Sequence, residues 1–368
     1  MIVNIISIIV VVIALIMYLF FIIFNFYQQK YYYQAYSPKS IRSGEILRYP
    51  EKYNMDGFVS VSSQKQYQEA AALKMINDKI NTNQNISINN INFLMGYTYG
   101  ASFNKLNKNF VPFLEPISCV KISAPFLGLN MDYRTSNSPK LFIDAVKYYI
   151  SKGYPVLAQV DMATLLGRRG FYSISELIVG YNKKGFYYYE TLGINNEKKK
   201  YISNKQLIDA TNKLNTRFKK PWKYGFCIFK ASEEKEQIKN AIKINGKNLI
   251  GETSNRTASG AQAIAAFAKH IKETKTFDSR WVIEALEYSR RDNAEFFEEF
   301  FKDNFDLSKV ANLFRVVSEN YSKALKIIKV TINDENIDKV SDLLFKNSQI
   351  EEQIGKLLEK ASYEVTSN

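Results

Sequence analysis

The chain offers few residues able to act as a nucleophile or a base. Its 368 residues include two cysteines, Cys119 and Cys227, and one histidine, His270. A thiol attacks a carbonyl as thiolate and needs an imidazole within hydrogen-bond reach to take its proton. Cys119 lies in the segment FLEPISCVKIS (residues 113–123) and His270 in a helical tail. No local Cys–His signature ties them, so the pair stands as an alternative site beside a plainer reading, a packed thiol and a surface histidine. Cys227 sits inside the apolar run YGFCIFK and reads as core. Glu176 and Glu190 fall on neighbouring strand-like segments and could pair as acid and base; charged side chains on a solvent-facing edge are the plainer account. One histidine and no zinc-spaced cysteines exclude a multi-histidine or zinc-type metal site, and no cofactor is expected. The segment SNRTASGA (residues 254–261) could open a helix whose free N–H groups hold an anion, but it lacks the lysine of a P-loop. Asp161, at the end of a strand-like run, reads as the cap of a short helix over residues 162–166.

These residues need a framework. At 46% hydrophobic and 23% charged, the chain has an ordinary globular composition, with length for one large domain or two modest ones. The net charge of +14 favours anionic partners. Local basic clusters occur at Lys198–Lys200 and at Arg217-Phe218-Lys219-Lys220, outside any nucleic-acid-binding motif, so nucleic acid is not expected. Attraction to an anionic membrane, or a plain solvated surface, accounts for the charge.

Residues 5–24, IISIIVVVIALIMYLFFIIF, are almost wholly apolar, and no charged side chain precedes Lys30. About 20 helical residues at about 1.5 Å each match a hydrocarbon core of about 30 Å. The absence of a basic leading segment and of a small-x-small site argues against a cleaved signal. Lys30, Lys39, Arg42, Arg48 and Lys52 follow the run, and the positive-inside rule then places the rest of the chain in the cytoplasm. The expectation is a single-pass membrane protein with the lipid bilayer as a partner: a transmembrane anchor over residues 1–29 and a membrane-proximal connector over 30–57.

Beyond the connector, helical periodicity runs over residues 64–79 and again over 88–95. A helix is predicted from Pro139 to Lys152, stopped by Gly153, then a strand over 154–161. SELIVGY (175–181) and GFYYYET (185–191) read as a hairpin turned at Asn182-Lys183-Lys184. Ser203 caps a further helix, and YGFCIFK (224–230) reads as a last strand. From Glu233 nearly everything is helical; the stretch DNAEFFEEFFKDNF has a strong apolar face that reads as core. The fold class expected is therefore α+β over 58–231 followed by an all-α domain over 232–368.

The order of these pieces resembles the N-terminal domain of the butirosin biosynthesis H protein family, which has a papain-like, bacteriocin-leader-peptidase-like fold. The residues that carry the resemblance are Ala70-Ala71-Ala72-Leu73, the stretch Ile88 to Gly96 with Gly100 and Phe103, Lys152-Gly153-Tyr154-Pro155-Val156 with Asp161, and Ile178-Val179-Gly180-Tyr181. The tail, with Gly260 opening a small-residue helix and Arg280 later, is similar to the family's helical partner domain. Together they cover about residues 58–360. The resemblance implies acyl transfer from a carrier-protein thioester, or peptide cleavage, by a Cys nucleophile, a His base and an orienting acid.

The resemblance also assigns the places where those groups belong. The nucleophile position falls on Gln68, flanked by Tyr67 and Glu69; the histidine position on Ser175 or Glu176; the acid on Glu190. A carboxamide is no activated nucleophile, and a carboxylate does not replace an imidazole paired with it. The expectation is a binding or scaffold pseudoenzyme for a carrier protein or peptide, with an acyltransferase or amidase rebuilt around Glu176 and Glu190 as the alternative.

Overall fold

The computed structural model describes residues 11–20, 36–61, 63, 65, 67–81, 86–96, 100–112, 116–193, 199–330 and 332–364. The strands are β1 (Lys39–Ser40), β2 (Tyr53–Asn54), β3 (Ala101–Asn104), β4 (Asn109–Pro112), β5 (Leu129–Ser136), β6 (Val156–Asp161), β7 (Ser173–Tyr181), β8 (Gly185–Tyr189), β9 (Lys200–Ser203), β10 (Tyr224–Ala231) and β11 (Thr257–Ser259). Among the helices, α1 is described over residues 11–20. The others are α2 (Gln68–Ile80), α3 (Ile88–Leu94), α4 (Pro116–Ser123), α5 (Pro139–Ser151), α6 (Met162–Leu165), α7 (Asn204–Arg217), α8 (Ile238–Ile250), α9 (Gly260–Thr274), α10 (Arg280–Phe300), α11 (Phe305–Val330) and α12 (Asp334–Glu364).

Several of these follow from local chemistry. Ser138 accepts from the Leu141 N–H at 3.3 Å and Pro139 opens α5, which stops before Gly153 at φ +82°. The β7–β8 turn closes on Asn182, whose Oδ1 accepts from the N–H groups of Lys184 and Gly185 at 2.8 and 3.0 Å. At α7, Ser203 and Gln206 form a capping box.

The chain divides into two compact units. Unit 1 comprises Met1–Met55, Asp132–Tyr188 and Lys199–Ile228; unit 2 comprises Asp56–Met131, Tyr189–Lys198 and Phe229–Asn368. The domain expected over 58–231 thus contributes to both, because strands and helices adjacent in sequence choose different packing partners.

Unit 1 is built on a sheet of strand order β1-β5-β10-β6-β7-β8-β9, with β2 also on β7. Residues 36–55, expected to be a connector, lay β1 parallel on β5 and β2 antiparallel on β7. On one face α5 stacks Phe142 on Tyr224 with ring centroids 5.0 Å apart, and α7 packs on β6. On the other face Tyr36, Tyr133 and Trp222 cluster with centroids 5.3 to 6.1 Å apart. Gly225 admits that cluster, since a Cβ there would stand 2.2 Å from the Tyr133 hydroxyl oxygen.

Unit 2 surrounds α2, whose Ala70, Ala71, Ala72, Leu73, Met75 and Ile76 are all buried. Phe93 of α3 stacks on Phe296 of α10 at 4.1 Å, and Phe110 of β4 stacks on Phe267 of α9 at 4.2 Å. A small sheet, β11-β3-β4, lies against α9, and α12 packs along α8, α9 and α11. The helical tail is therefore part of the same core as α2 and α3.

The structure corrects the membrane assignment. Among the described residues no helix is long and apolar enough to cross a membrane. The described helical part of the apolar run is residues 11–20. The rest of the expected span, residues 5–10 and 21–24, lies outside the described residues. A transmembrane anchor, a single-pass topology and a membrane localisation with the chain facing the cytoplasm are accordingly not supported. Hydropathy registers composition, whereas crossing demands a continuous helix of sufficient length. The fold class is corrected with it, to mixed α/β, 57% helical and 18% strand among the described residues, with a helical C-terminal region.

Candidate functional site

The segment leading into α2 is held by long-range contacts within unit 2. Ser63 donates its N–H to the Thr191 carbonyl at 3.0 Å and accepts from Gly193 N at 3.1 Å, so this segment runs beside the residues just after Glu190. Lys65 Nζ reaches both carboxylate oxygens of Asp292 at 2.6 Å. Its ammonium also lies 5.6 and 5.8 Å from the ring centroids of Tyr67 and Tyr288, which meet edge to face. Behind Asp292 on α10, Arg290 and Glu351 form a fully buried pair at 2.6 and 3.0 Å, and the Tyr321 hydroxyl donates to Glu351 at 2.9 Å. Burial disfavours the Arg290 charge, and Glu351 more than offsets it, leaving the guanidinium firmly protonated. Burial and the adjacent Glu351 charge push the Tyr321 phenol well up.

Gln68 is the first residue of α2. Its N-cap, Tyr67, makes no side-chain cap, and the Gln68 Oε1 is buried without a hydrogen-bond partner among the described residues. A carboxamide there can donate and accept but has no proton to surrender in forming a nucleophile.

Glu176 and Ser175 lie in unit 1, at the centre of β7, and both are buried. Side-chain alternation along the strand separates them. Glu176 pairs across β6 with Ala158, and Ser175 with Gln159, so the two side chains sit on opposite faces of the sheet. On the Ser175 face, buried Lys220 donates to Gln159 Oε1 at 2.8 Å and stands 5.4 Å from the Tyr36 ring centroid. Glu190 belongs to unit 2, just beyond the end of β8, and is buried. The two carboxylates thus fall in different units.

Neither cysteine is accessible: Cys119, on α4, is 4% exposed and Cys227, on β10, is fully buried. The α4 helix packs on α2 and α3, whereas α9, which carries His270, packs on β3 and α12. His270 rests its ring 5.7 Å from that of Phe103. Asp161 caps α6 as expected, taking the Thr164 N–H at 3.2 Å and hydroxyl at 2.6 Å, the Tyr172 N–H at 2.8 Å and Lys213 Nζ at 2.7 Å. Burial pushes its carboxyl up, but Lys213, Thr164 and Tyr172 prevail and hold it below the usual range. Within residues 254–261, Thr257–Ser259 form β11 and Gly260 opens α9 as expected; Ser259 makes no side-chain cap, and its hydroxyl accepts from the Glu252 N–H at 2.9 Å. A surface depression of about 460 Å³ along Gln349, Glu352, Gln353, Lys356, Leu357 and Lys360 of α12 contains none of these residues.

Lys65, Asp292, Arg290, Glu351 and Gln159 carry no signal in the sequence, and Lys220 only that of a basic cluster. Lys65 and Asp292 are 227 residues apart and Arg290 and Glu351 are 61 apart, so no motif spacing announces either pair. No family model matches the chain, and no curated protein matches it.

Proposed function

We propose that this chain is a non-catalytic binding protein on a butirosin-H-like, cysteine-peptidase-like framework, and that it holds a carrier protein or a peptide. The observation that carries this reading is the disposition of the reactive groups. The first position of α2 holds Gln68, while both thiols are packed in cores at 4% and 0% exposure and the single imidazole lies against Phe103. Acyl transfer by a thiolate needs sulfur and imidazole within about 3 Å of one another at an open face, and no such pair supports turnover here. The rebuilt two-carboxylate alternative has less support, since Glu176 is 2% exposed and Glu190 5% exposed, which leaves neither carboxylate open to a substrate.

The test uses the full chain with a labelled acyl-carrier-protein thioester, measuring hydrolysis and transfer alongside binding. The expected result is binding with turnover at the uncatalysed rate. Turnover by the native chain that Gln68→Ala abolishes would falsify the reading.

A further inference from the structure

Within unit 1, the loop after α6 and the end of α7 form one exposed surface on which cations and aromatic rings alternate. The loop reads Leu166-Gly167-Arg168-Arg169-Gly170-Phe171-Tyr172, and the helix end Arg217-Phe218-Lys219. Leu166, Phe171, Tyr172 and Phe218 are 37 to 48% exposed, an unusual cluster for large apolar side chains. The surface is preformed. Lys213 Nζ donates to the Gly170 carbonyl at 2.7 Å while bonding Asp161, and the Met162 N–H reaches the Tyr172 carbonyl at 2.8 Å. Phe171 and Phe218 meet edge to face at 5.8 Å, with the Arg217 guanidinium 5.8 Å from the Phe171 ring centroid.

The charge on this surface is of one sign. Arg168, Arg169, Arg217 and Lys219 are exposed, and none takes part in an ion pair among the described residues. The acids nearby are engaged: Asp161 is buried and held by Lys213, and Asp209, the one acid of α7, pairs with Lys205 at 2.5 Å. Exposed arginines with aromatic rings are the composition of protein–protein contacts, and an all-cationic rim selects an acidic partner. Single-stranded nucleic acid would need open ring faces for stacking. Here the Phe171 ring lies against both Arg217 and Phe218, forming an apolar knob. A second copy is disfavoured by the net charge of +14.

We propose that this surface docks an acidic amphipathic protein segment, its carboxylates meeting Arg168, Arg169, Arg217 and Lys219 and its apolar side chains covering Leu166, Phe171, Tyr172 and Phe218. The inference goes beyond the binding reading above and does not use Gln68, so it stands or falls separately.

The experiment is fluorescence anisotropy on the full chain with three labelled probes: an amphipathic Glu/Leu peptide, its Glu→Gln counterpart, and oligothymidylate. The Glu/Leu peptide is expected to bind most tightly and to weaken as salt rises. Combined Arg168→Glu, Arg169→Glu and Arg217→Glu should weaken it by about a hundredfold, and Phe171→Ala with Phe218→Ala by about tenfold. Lys323→Glu, Lys326→Glu and Lys329→Glu on α11, the same charge change on an exposed helix, should leave it within about twofold. Thermal melts confirm folding of each variant. Equal loss in the α11 variant, equal binding of the Gln peptide, or tighter binding of oligothymidylate overturns the proposal. So does a dimer in sedimentation that the arginine changes dissolve. Thioester turnover by the native chain would sink the preceding function and leave these affinities untouched.

Discussion

The two units each anchor a key segment with an ion pair, but in opposite solvents. In unit 2 the Arg290–Glu351 pair has both side chains at 0% exposure; in unit 1 the Asp161–Lys213 pair joins a fully buried carboxylate to a lysine at 44%. A pair removed from water on both sides is weak evidence for stability when intact and costly when halved, because the surviving charge has no solvent to return to. A pair with one wet end keeps its lysine replaceable by water, so its worth lies in the backbone groups the acid also satisfies. The Arg290–Glu351 pair thus ties α10 to α12 inside the core of unit 2, whereas Lys213 is a peg that fixes a surface loop of unit 1.

This contrast can be broken in descending order of effect. Glu351→Ala should destabilise the chain by about 3–5 kcal/mol, while joint replacement of Arg290 and Glu351 by methionine should recover most of that loss; urea unfolding of the three proteins decides it. A joint variant no better than the single one would mean that the network, with Tyr321, is stabilising as a whole. Asp161→Ala should cost about 1–3 kcal/mol, since it removes the α6 cap and strands the Tyr172 N–H. The pH dependence sharpens this. The folded Asp161 carboxyl is held below its ordinary value, so its contribution is present above about pH 4 and is lost as pH falls through the lower folded value. The wild type should therefore lose more stability on acidification than Asp161→Asn. Smallest is the exposed bidentate pair of Arg315 and Glu298, with side chains 40% and 45% exposed. Arg315→Ala should change stability by no more than about 1 kcal/mol, and less in high salt, in thermal melts.

Legibility in the sequence followed contact range. The α5 helix, the β7–β8 hairpin, the Ser203 cap and the Asp161 cap were all readable, since each depends on partners within a few residues except where Lys213 and Tyr172 complete the Asp161 cluster. The β3–β4 hairpin and β5 were not read. The β5 stretch LNMDYR does alternate apolar and polar residues, but the β3 and β4 stretches are only four residues each, and the pairing of all three is decided by β11 and by β1 and β10 from distant parts of the chain. The apolar run at residues 5–24 suggested a span because composition alone looked sufficient.

What the sequence determined by itself is the inventory of chemistry and the local caps and turns: two thiols, one imidazole, and an alanine-rich helical stretch around Gln68. What only the tertiary structure decided is which groups share an environment. Strand register set Glu176 opposite Ala158 and Ser175 opposite Gln159, and core packing sealed Cys119 and Cys227. It also joined Lys65 to Asp292 and gathered two short segments of α6–β7 and α7 into one cationic, aromatic surface. The physical reason is that caps and turns are satisfied by bonds within one or two helical turns. Burial and charge pairing are instead properties of neighbours that the chain brings together only when its core closes.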